Sequence, residues 1–213
     1  MDLCKFTKIG TIGAAIAMLA ASQAPALAQC ASYTLRRAQG GGLLPQMRID
    51  IVERGGNVEL PTDQPRRRGV WTAVDYMVTV PSGANVVLGV GSGNVRVTDI
   101  DGELRADSAD GNLIAAGVGR VRHLETMRGT IDVSDAEADE LSANTIEGDL
   151  ILRNLKGRAI DVNSANGDVR LVDVETSRAR LQTMAGDIEY AGPLARRGRY
   201  EFATHSGTIR LRP

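Results

Sequence analysis

The sequence predicts an all-β protein, a single-stranded parallel β-solenoid with about 18–19 residues per coil and two short strands per coil. The first observation is a six-residue word that recurs at nearly constant spacing, as is typical of solenoids. The second is the aromatic content of only 3%, because wide globular cores are usually filled by large aromatic side chains. The words are SGNVRV, DGNLIA, RGTIDV, EGDLIL, NGDVRL, AGDIEY and SGTIRL, built around Gly93, Gly111, Gly129, Gly148, Gly167, Gly186 and Gly207.

Apolar residues recur at fixed offsets from these glycines. Positions two and four residues after each glycine are apolar, and alternation by two places them on one face of a strand. Equal offsets in successive coils stack about 4.8 Å apart, as strands in a sheet do. We expect a turn at each word glycine and a second turn about nine residues later, where Gly102 and Gly157 stand. The first apolar row is predicted to form one buried column: Val95, Leu113, Ile131, Leu150, Val169 and Ile188.

A hydroxyl group stands three positions before each word glycine from Gly111 onward. A serine-type catalytic site is one interpretation, but no coil adds a histidine and a carboxylate at a repeated offset. The pattern instead favours a structural ladder in which each hydroxyl bonds turn backbone that would otherwise be buried unpaired. The row is Ser108, Thr126, Thr145, Ser164, Thr183 and Thr204.

Charges on the outward rows keep like charges apart. Asp161, Arg180 and Glu201 alternate in sign six residues before successive glycines, and opposite charges on adjacent strands stabilise their pairing. Another row, containing Asn144 and Asn163 and continued by Gln182, predicts a stacked amide ladder.

The N-terminus has the features of an export signal. Residues 1–28 combine basic Lys5 and Lys8 with an apolar run that is short for a membrane span. A small-x-small site ends at Ala28. We expect cleavage there, a flexible lead-in over residues 29–45, a β-solenoid adhesin-like domain over 46–213, and a periplasmic, envelope-associated or secreted location in a bacterium.

Cys30 would remain as the single cysteine of the mature chain, so no intramolecular disulfide is expected. Leu27 and Ala28 suit a lipidation signal, whereas Gln29, directly before the cysteine, does not. A free thiol in a mobile tail is the alternative, and the sequence leaves both open.

The words also carry a family resemblance. The segment VDYMVTVPSGANVVLGVGSGNVRV, from Val74 to Val97, and the repeated glycine words resemble the bacterial adhesin-like β-solenoid family, a DUF4097-like domain of unknown function. The resemblance covers about Ile49 to the C-terminus. It implies the solenoid fold, an envelope setting and a binding role, and it brings no catalytic residues. The sequence departs from the family over residues 193–199, where the last coil is longer and rich in arginine.

One row of carboxylates is a candidate cation site. Asp149, Asp168 and Asp187 each follow a word glycine, and stacked carboxylate oxygens are ligands that Ca²⁺ accepts. Asn94 and Asn112 occupy the same row, and Asp or Asn commonly bonds turn backbone, so both interpretations stay open. His123 and His205 have no Cys or His partner in their rows, and no catalytic, cofactor-binding or metal-binding residue is assigned.

These observations favour a non-catalytic exported β-solenoid that acts as an adhesin-like binding module or an envelope scaffold. The alternative is a carbohydrate-active enzyme on a β-helix, but residues 95–188 contain none of the aromatic side chains on which sugars stack. We expect an unknown envelope protein or polysaccharide as partner, and neither a cofactor nor a nucleic acid.

The two ends of the stack differ from its middle. Tyr190, Tyr200 and Phe202 are expected to cap one end, and Trp71 and Tyr76 the other, because terminal repeats of solenoids are atypical. Both ends are basic and the middle is acidic, so head-to-tail stacking would bring like charges together. We therefore expect a monomer without a transmembrane segment.

Overall fold

The chain folds as a β-solenoid in a computed structural model. The structure describes the backbone of residues 6–9, 15–20, 32–39, 48–49, 52–54, 57–60, 62–63 and 73–212, and the side chains of residues 78 and 80–212. No helix occurs in these ranges, and accordingly no membrane-spanning helix was found there. The strands are β1 (Phe6–Ile9), β2 (Ala15–Ala20), β3 (Ser32–Gln39), β4 (Arg48–Ile49), β5 (Val52–Arg54), β6 (Asn57–Leu60), β7 (Thr62–Asp63), β8 (Ala73–Pro81), β9 (Asn85–Val90), β10 (Val95–Asp110), β11 (Leu113–Arg128), β12 (Ile131–Glu147), β13 (Leu150–Asn166), β14 (Val169–Ala185), β15 (Ile188–Ala191), β16 (Leu194–Ser206) and β17 (Ile209–Arg212).

Each coil from β10 onward lies parallel to the next, as predicted. The register keeps equal offsets together, so Ile131 pairs with Leu150 and Leu150 pairs with Val169. The predicted column is confirmed: each of its six members is at most 2% exposed. Burial of such side chains stabilises the fold by about 1.5–3 kcal/mol each.

The second turn of the coil lies earlier than the sequence predicts. Left-handed backbone occurs six residues after the word glycine, at Asp99, Asp135, Asn154 and Asp173 with φ between 47° and 55°, and at Gly117. Asp and Asn tolerate this conformation better than other non-glycine residues do. This corner divides each long strand into two arms, which accounts for the two short strands predicted per coil.

Gly102 and Gly157, the predicted corner residues, serve another purpose, since neither has a positive φ. A Cβ atom on Gly157 would collide with the backbone carbonyl oxygen of Ala138, and one on Gly102 with that of Ala84. These glycines therefore permit close approach between coils.

The hydroxyl row forms the predicted ladder. Thr183 Oγ1 donates to the carbonyl oxygen of Gly167 at 3.1 Å, and Thr204 Oγ1 to that of Gly186 at 3.0 Å. Thr126, Thr145 and Ser164 make the same bond to the word glycine of the preceding coil. Ser108 is the exception, because its buried Oγ has no hydrogen-bond partner.

Aromatic side chains close much of the C-terminal end. Tyr190 is fully buried, and its ring centroid lies 5.9 Å from that of Tyr200 and 5.7 Å from that of Phe202. The cap is partial, because Ile209 and Leu211 in the last strand are 39% and 48% exposed.

Antiparallel strands cover the N-terminal end. Within the predicted signal peptide, β1 pairs with β8, and β2 lies between β9 and β6. Trp71, Cys30 and the predicted cleavage position after Ala28 lie outside the described residues, as does the side chain of Tyr76.

Candidate binding groove

An open groove of about 730 Å³ crosses the outward face of the second arm of the coils. It extends from β10 to β16 and is lined largely by long charged side chains. Ser142 and Ala159 lie near its middle and are half-buried. Because these two side chains are short where their neighbours are long, the surface is concave there.

Two outward rows form the groove. One contains Glu140, Ala159, Arg178 and Arg199, paired successively across four strands. The other lies two residues further along each strand and contains Ser142, Asp161, Arg180 and Glu201. Residues two apart on a strand share a face, so both rows face outward, while Leu141, Ile160 and Ala179 between them are buried.

Most charged groups of the groove are paired. Arg180 contacts Glu201 at 3.2 Å, Glu140 forms a salt bridge with Arg158, and Asp161 accepts a hydrogen bond from Asn163 at 2.9 Å. The alternation in sign predicted for Asp161, Arg180 and Glu201 is thus confirmed by their register.

At the N-terminal end of the groove, Glu103 neutralises two arginines. Its carboxylate lies 2.8 Å from Arg105 and 3.4 Å from Arg122. The hydrogen bond from Arg105 holds the pKa of Glu103 below its ordinary value, against the opposing effect of partial burial.

At the other end, Arg178 and Arg199 pair directly across β14 and β16. Both side chains are exposed. Neither forms a salt bridge within the part of the chain whose side chains are described. This end of the groove therefore carries uncompensated positive charge. Like charges directly opposite each other on adjacent strands also destabilise the pairing of those strands.

His123 lines the groove and contacts two carboxylates. Its Nε2 atom is 3.5 Å from Asp107 and 3.3 Å from Glu125, and these three donors lie within 4.8 Å of one another. Asp107 and Glu125 are register partners. A single imidazole nitrogen thus faces both members of this acidic pair. His205 is exposed elsewhere, beside Met184.

The aspartate row binds backbone, as one of its two interpretations predicts. Asp149 Oδ1 accepts the backbone N–H of Asp168 at 2.9 Å, and Asp168 Oδ1 accepts that of Asp187 at 2.8 Å. Asn94 and Asn112 make the same bond to the following coil. In each member of the row, one side-chain oxygen is therefore committed to the neighbouring turn.

A comparison with family models identifies the family to which the chain belongs. The Toastrack DUF4097 model matches residues 77–212, which is more than half of the chain. The chain belongs to the Toastrack DUF4097 family. The match covers all coils of this Toastrack solenoid and confirms the resemblance carried by its glycine words. Comparison with curated proteins and with solved structures gave no match.

The opposed arginines of this Toastrack protein are a feature that the sequence interpretation missed. Arg178 stands eight residues before Gly186, and Arg199 stands eight before Gly207. Counting backward from the glycines would have paired them. Counting forward from Gly167 and Gly186 gives the two arginines different offsets, because the last coil contains extra residues before Arg199.

Proposed function

We propose that this protein is an exported, non-catalytic binding module of the cell envelope, adhesin-like in its action, and that the groove is its binding face. The observation that carries the proposal is the groove itself, which continues across neighbouring coils and presents polar side chains along its length. An extended polymer could contact several coils at once in such a groove. The apolar interior is meanwhile closed by the buried columns.

The arrangement of the groove carboxylates supports binding over glycoside hydrolysis. Most glycosidases place two carboxyl groups on either side of the scissile bond. Here Glu140 and Glu201 are each held by an arginine, and Asp161 is held by an amide. These contacts fit a surface that provides fixed charges, and a scaffold role is compatible with the same surface.

A blocking variant tests the proposal. Ala159→Trp would fill the middle of the groove, and Ala116→Trp is the matched control, on a half-buried outward position outside it. We expect the wild-type protein and Ala116→Trp to bind at least one of purified peptidoglycan, lipopolysaccharide or capsular polysaccharide in a sedimentation assay, and Ala159→Trp to lose that binding with an unchanged Tm. Equal binding by both variants would place the site elsewhere. Release of reducing ends from any of these polymers would favour the enzyme.

Export is tested separately by fractionating bacteria that express the full chain. We expect the periplasmic or secreted form to begin after Ala28 and to be monomeric by light scattering at low and high salt. A cytoplasmic product that retains its first residues would contradict export.

A further inference from the structure

Charge pairing in this solenoid follows a rule with two exceptions. Register partners that are both charged usually have opposite signs, as Arg170 has with Glu189 and Lys156 has with Glu175. Among the described coils, the acidic exception is Asp107 with Glu125 and the basic one is Arg178 with Arg199. His123 lies between the two acids. Among the residues whose side chains the structure describes, no carboxylate forms a salt bridge with either arginine of the basic pair.

We propose that Arg178 and Arg199 form an anion-binding subsite that takes the acidic groups of an anionic polysaccharide strand lying in the groove. This inference rests on the proposed function and names its ligand class. A guanidinium presents paired N–H donors that match the two oxygens of a carboxylate, or those of a phosphodiester. A bound anion would also relieve the repulsion between the two arginines.

The segment that precedes Arg199 carries two further arginines. Thr176 pairs with Leu194 and Arg178 pairs with Arg199, so residues 195–198 form a bulge between these two points of register. The bulge carries Arg196 and Arg197, both of which are exposed. Arg196 and Arg197 therefore lie close in sequence to the groove residue Arg199, although neither of them lines the groove.

Two tyrosines fix this bulge in place. The Tyr200 hydroxyl accepts the backbone N–H of Ala195 at 2.9 Å and donates to the carbonyl oxygen of Thr176 at 2.6 Å. The Tyr190 hydroxyl lies 3.2 Å from the carbonyl oxygen of Pro193. Any Cβ atom on Gly198 would collide with the Tyr200 ring, so the bulge packs closely on that ring. Fixing the backbone in advance lowers the entropy cost of binding.

The shape of the surface favours a polymer strand over a lipid membrane. From Arg178 the groove continues past Ala159 and Ser142 toward Arg105, with about 4.8 Å between successive strands. A concave polar channel fits an extended chain. Met127, Ile146 and Met184 are exposed apolar side chains that could enter a bilayer, but they do not line the groove.

Binding of a labelled oligogalacturonate, measured by fluorescence anisotropy, tests the subsite. The fully methyl-esterified oligomer is the neutral control ligand, and phosphatidylglycerol vesicles represent a membrane. The test variant is Arg178→Gln/Arg199→Gln. The matched control is Arg96→Gln/Arg120→Gln, which removes the same charge from exposed positions outside the groove. We expect the test variant to weaken oligogalacturonate binding at least about ten-fold and the control less than about two-fold.

Each contrary outcome has a defined meaning. Equal weakening in both double variants would show general electrostatic attraction and overturn the subsite. Preference for vesicles, lost in Arg178→Gln/Arg199→Gln, would overturn the polysaccharide in favour of a membrane. Equal binding of the neutral oligomer would overturn the anionic class while leaving the binding module intact. Absence of binding to these ligands together with the envelope polymers would overturn both proposals.

Thermal stability of the ligand-free protein gives an independent readout. Because the opposed arginines repel each other, Arg199→Gln should raise the Tm by about 1–3 °C at low salt. High salt should reduce this gain through screening. A lowered Tm would show that Arg199 stabilises the fold itself, and would overturn its assignment to an anion subsite.

Discussion

Asp187 joins two coils by accepting the backbone N–H of Thr208 at 2.8 Å through its Oδ1 atom. Its second oxygen, Oδ2, lies 2.9 Å from the Arg210 guanidinium. The hydrogen bond from Thr208 and then that from Arg210 hold the pKa of Asp187 below its ordinary value. One side chain thus fixes the turn of the last coil and neutralises a neighbouring arginine.

This lowered pKa predicts an acid-dependent contribution to stability. The unfolded chain takes up the proton at about pH 4, which is a higher pH than the folded protein requires. The contribution is therefore complete above that pH and is lost as the pH falls through the folded pKa. Asp187→Asn keeps an oxygen acceptor but cannot titrate, so we expect a smaller fall in Tm between about pH 4 and pH 2. Asp139→Asn, at an exposed position, is the control. Identical pH profiles for Asp187→Asn and wild type would contradict the linkage.

The buried column makes a prediction about the register of the coils. Leu150 is 0% exposed, whereas the side chain of Arg153 is 52% exposed and forms a surface ion pair with Asp132. We expect Leu150→Asp to destabilise the fold by more than about 4 kcal/mol, because it removes apolar burial and buries a charge. Arg153→Ala should change stability by less than about 1 kcal/mol. Denaturant unfolding compares them, and similar midpoints would show that the register is wrong.

The word glycines are predicted to tolerate no side chain. Gly148 has a φ of 149°, and a Cβ atom there would collide with the carbonyl oxygen of Gly129. Gly148→Ala should therefore cost about 2 kcal/mol or more. Gly83, in the turn before β9, has open space around its Cβ position, so Gly83→Ala should change stability by less than about 1 kcal/mol. Thermal unfolding of both variants is the measurement. A loss at Gly148 no larger than that at Gly83 would argue against the close coil contact.

The raised pKa of the Tyr190 phenol predicts that the fold loses stability at alkaline pH. Burial raises its pKa to about 12, with a smaller effect of Tyr200 in the same direction. The unfolded phenol ionises at about pH 10, so the stabilising contribution of Tyr190 is complete below that pH and is lost as the pH rises toward the folded pKa. Tyr190→Phe removes the hydroxyl that lies 3.0 Å from the carbonyl oxygen of Val174. We expect it to cost about 1–2 kcal/mol at neutral pH, and we expect this deficit to shrink between about pH 10 and pH 12. A deficit independent of pH would contradict the assignment.

The repeats explain why so much of the fold could be predicted. Every coil presents the same apolar offsets, and Leu113, Ile131 and Leu150 therefore had to stack. The corner at Asp135 was harder to predict, because aspartate is common on exposed strand positions as well as in left-handed turns, and the sequence does not distinguish the two. The second turn was predicted at Gly157 because glycine is common in turns. In the structure this glycine instead permits close contact between neighbouring coils.

The groove was harder to predict from the sequence, because a concave surface depends on differences in side-chain length between neighbouring coils. Ala159 is unremarkable as a single residue, and it forms the middle of a groove only because charged side chains flank it on adjacent strands. The tyrosine contacts that hold the bulge depend on three-dimensional packing around Tyr200. Sequence alone marked the arginine-rich insertion but gave no reason for its shape.

Methyl NMR with selectively labelled alanine tests the central claim, that the groove is the binding face, most directly. Ala159 reports on the groove and Ala116 on a half-buried outward position outside it, and loss of each signal on substitution assigns it. On addition of oligogalacturonate or of the envelope polymer that the protein binds, we expect the Ala159 methyl resonance to shift and the Ala116 resonance to stay in place. A shift at Ala116 with no change at Ala159 would contradict the account.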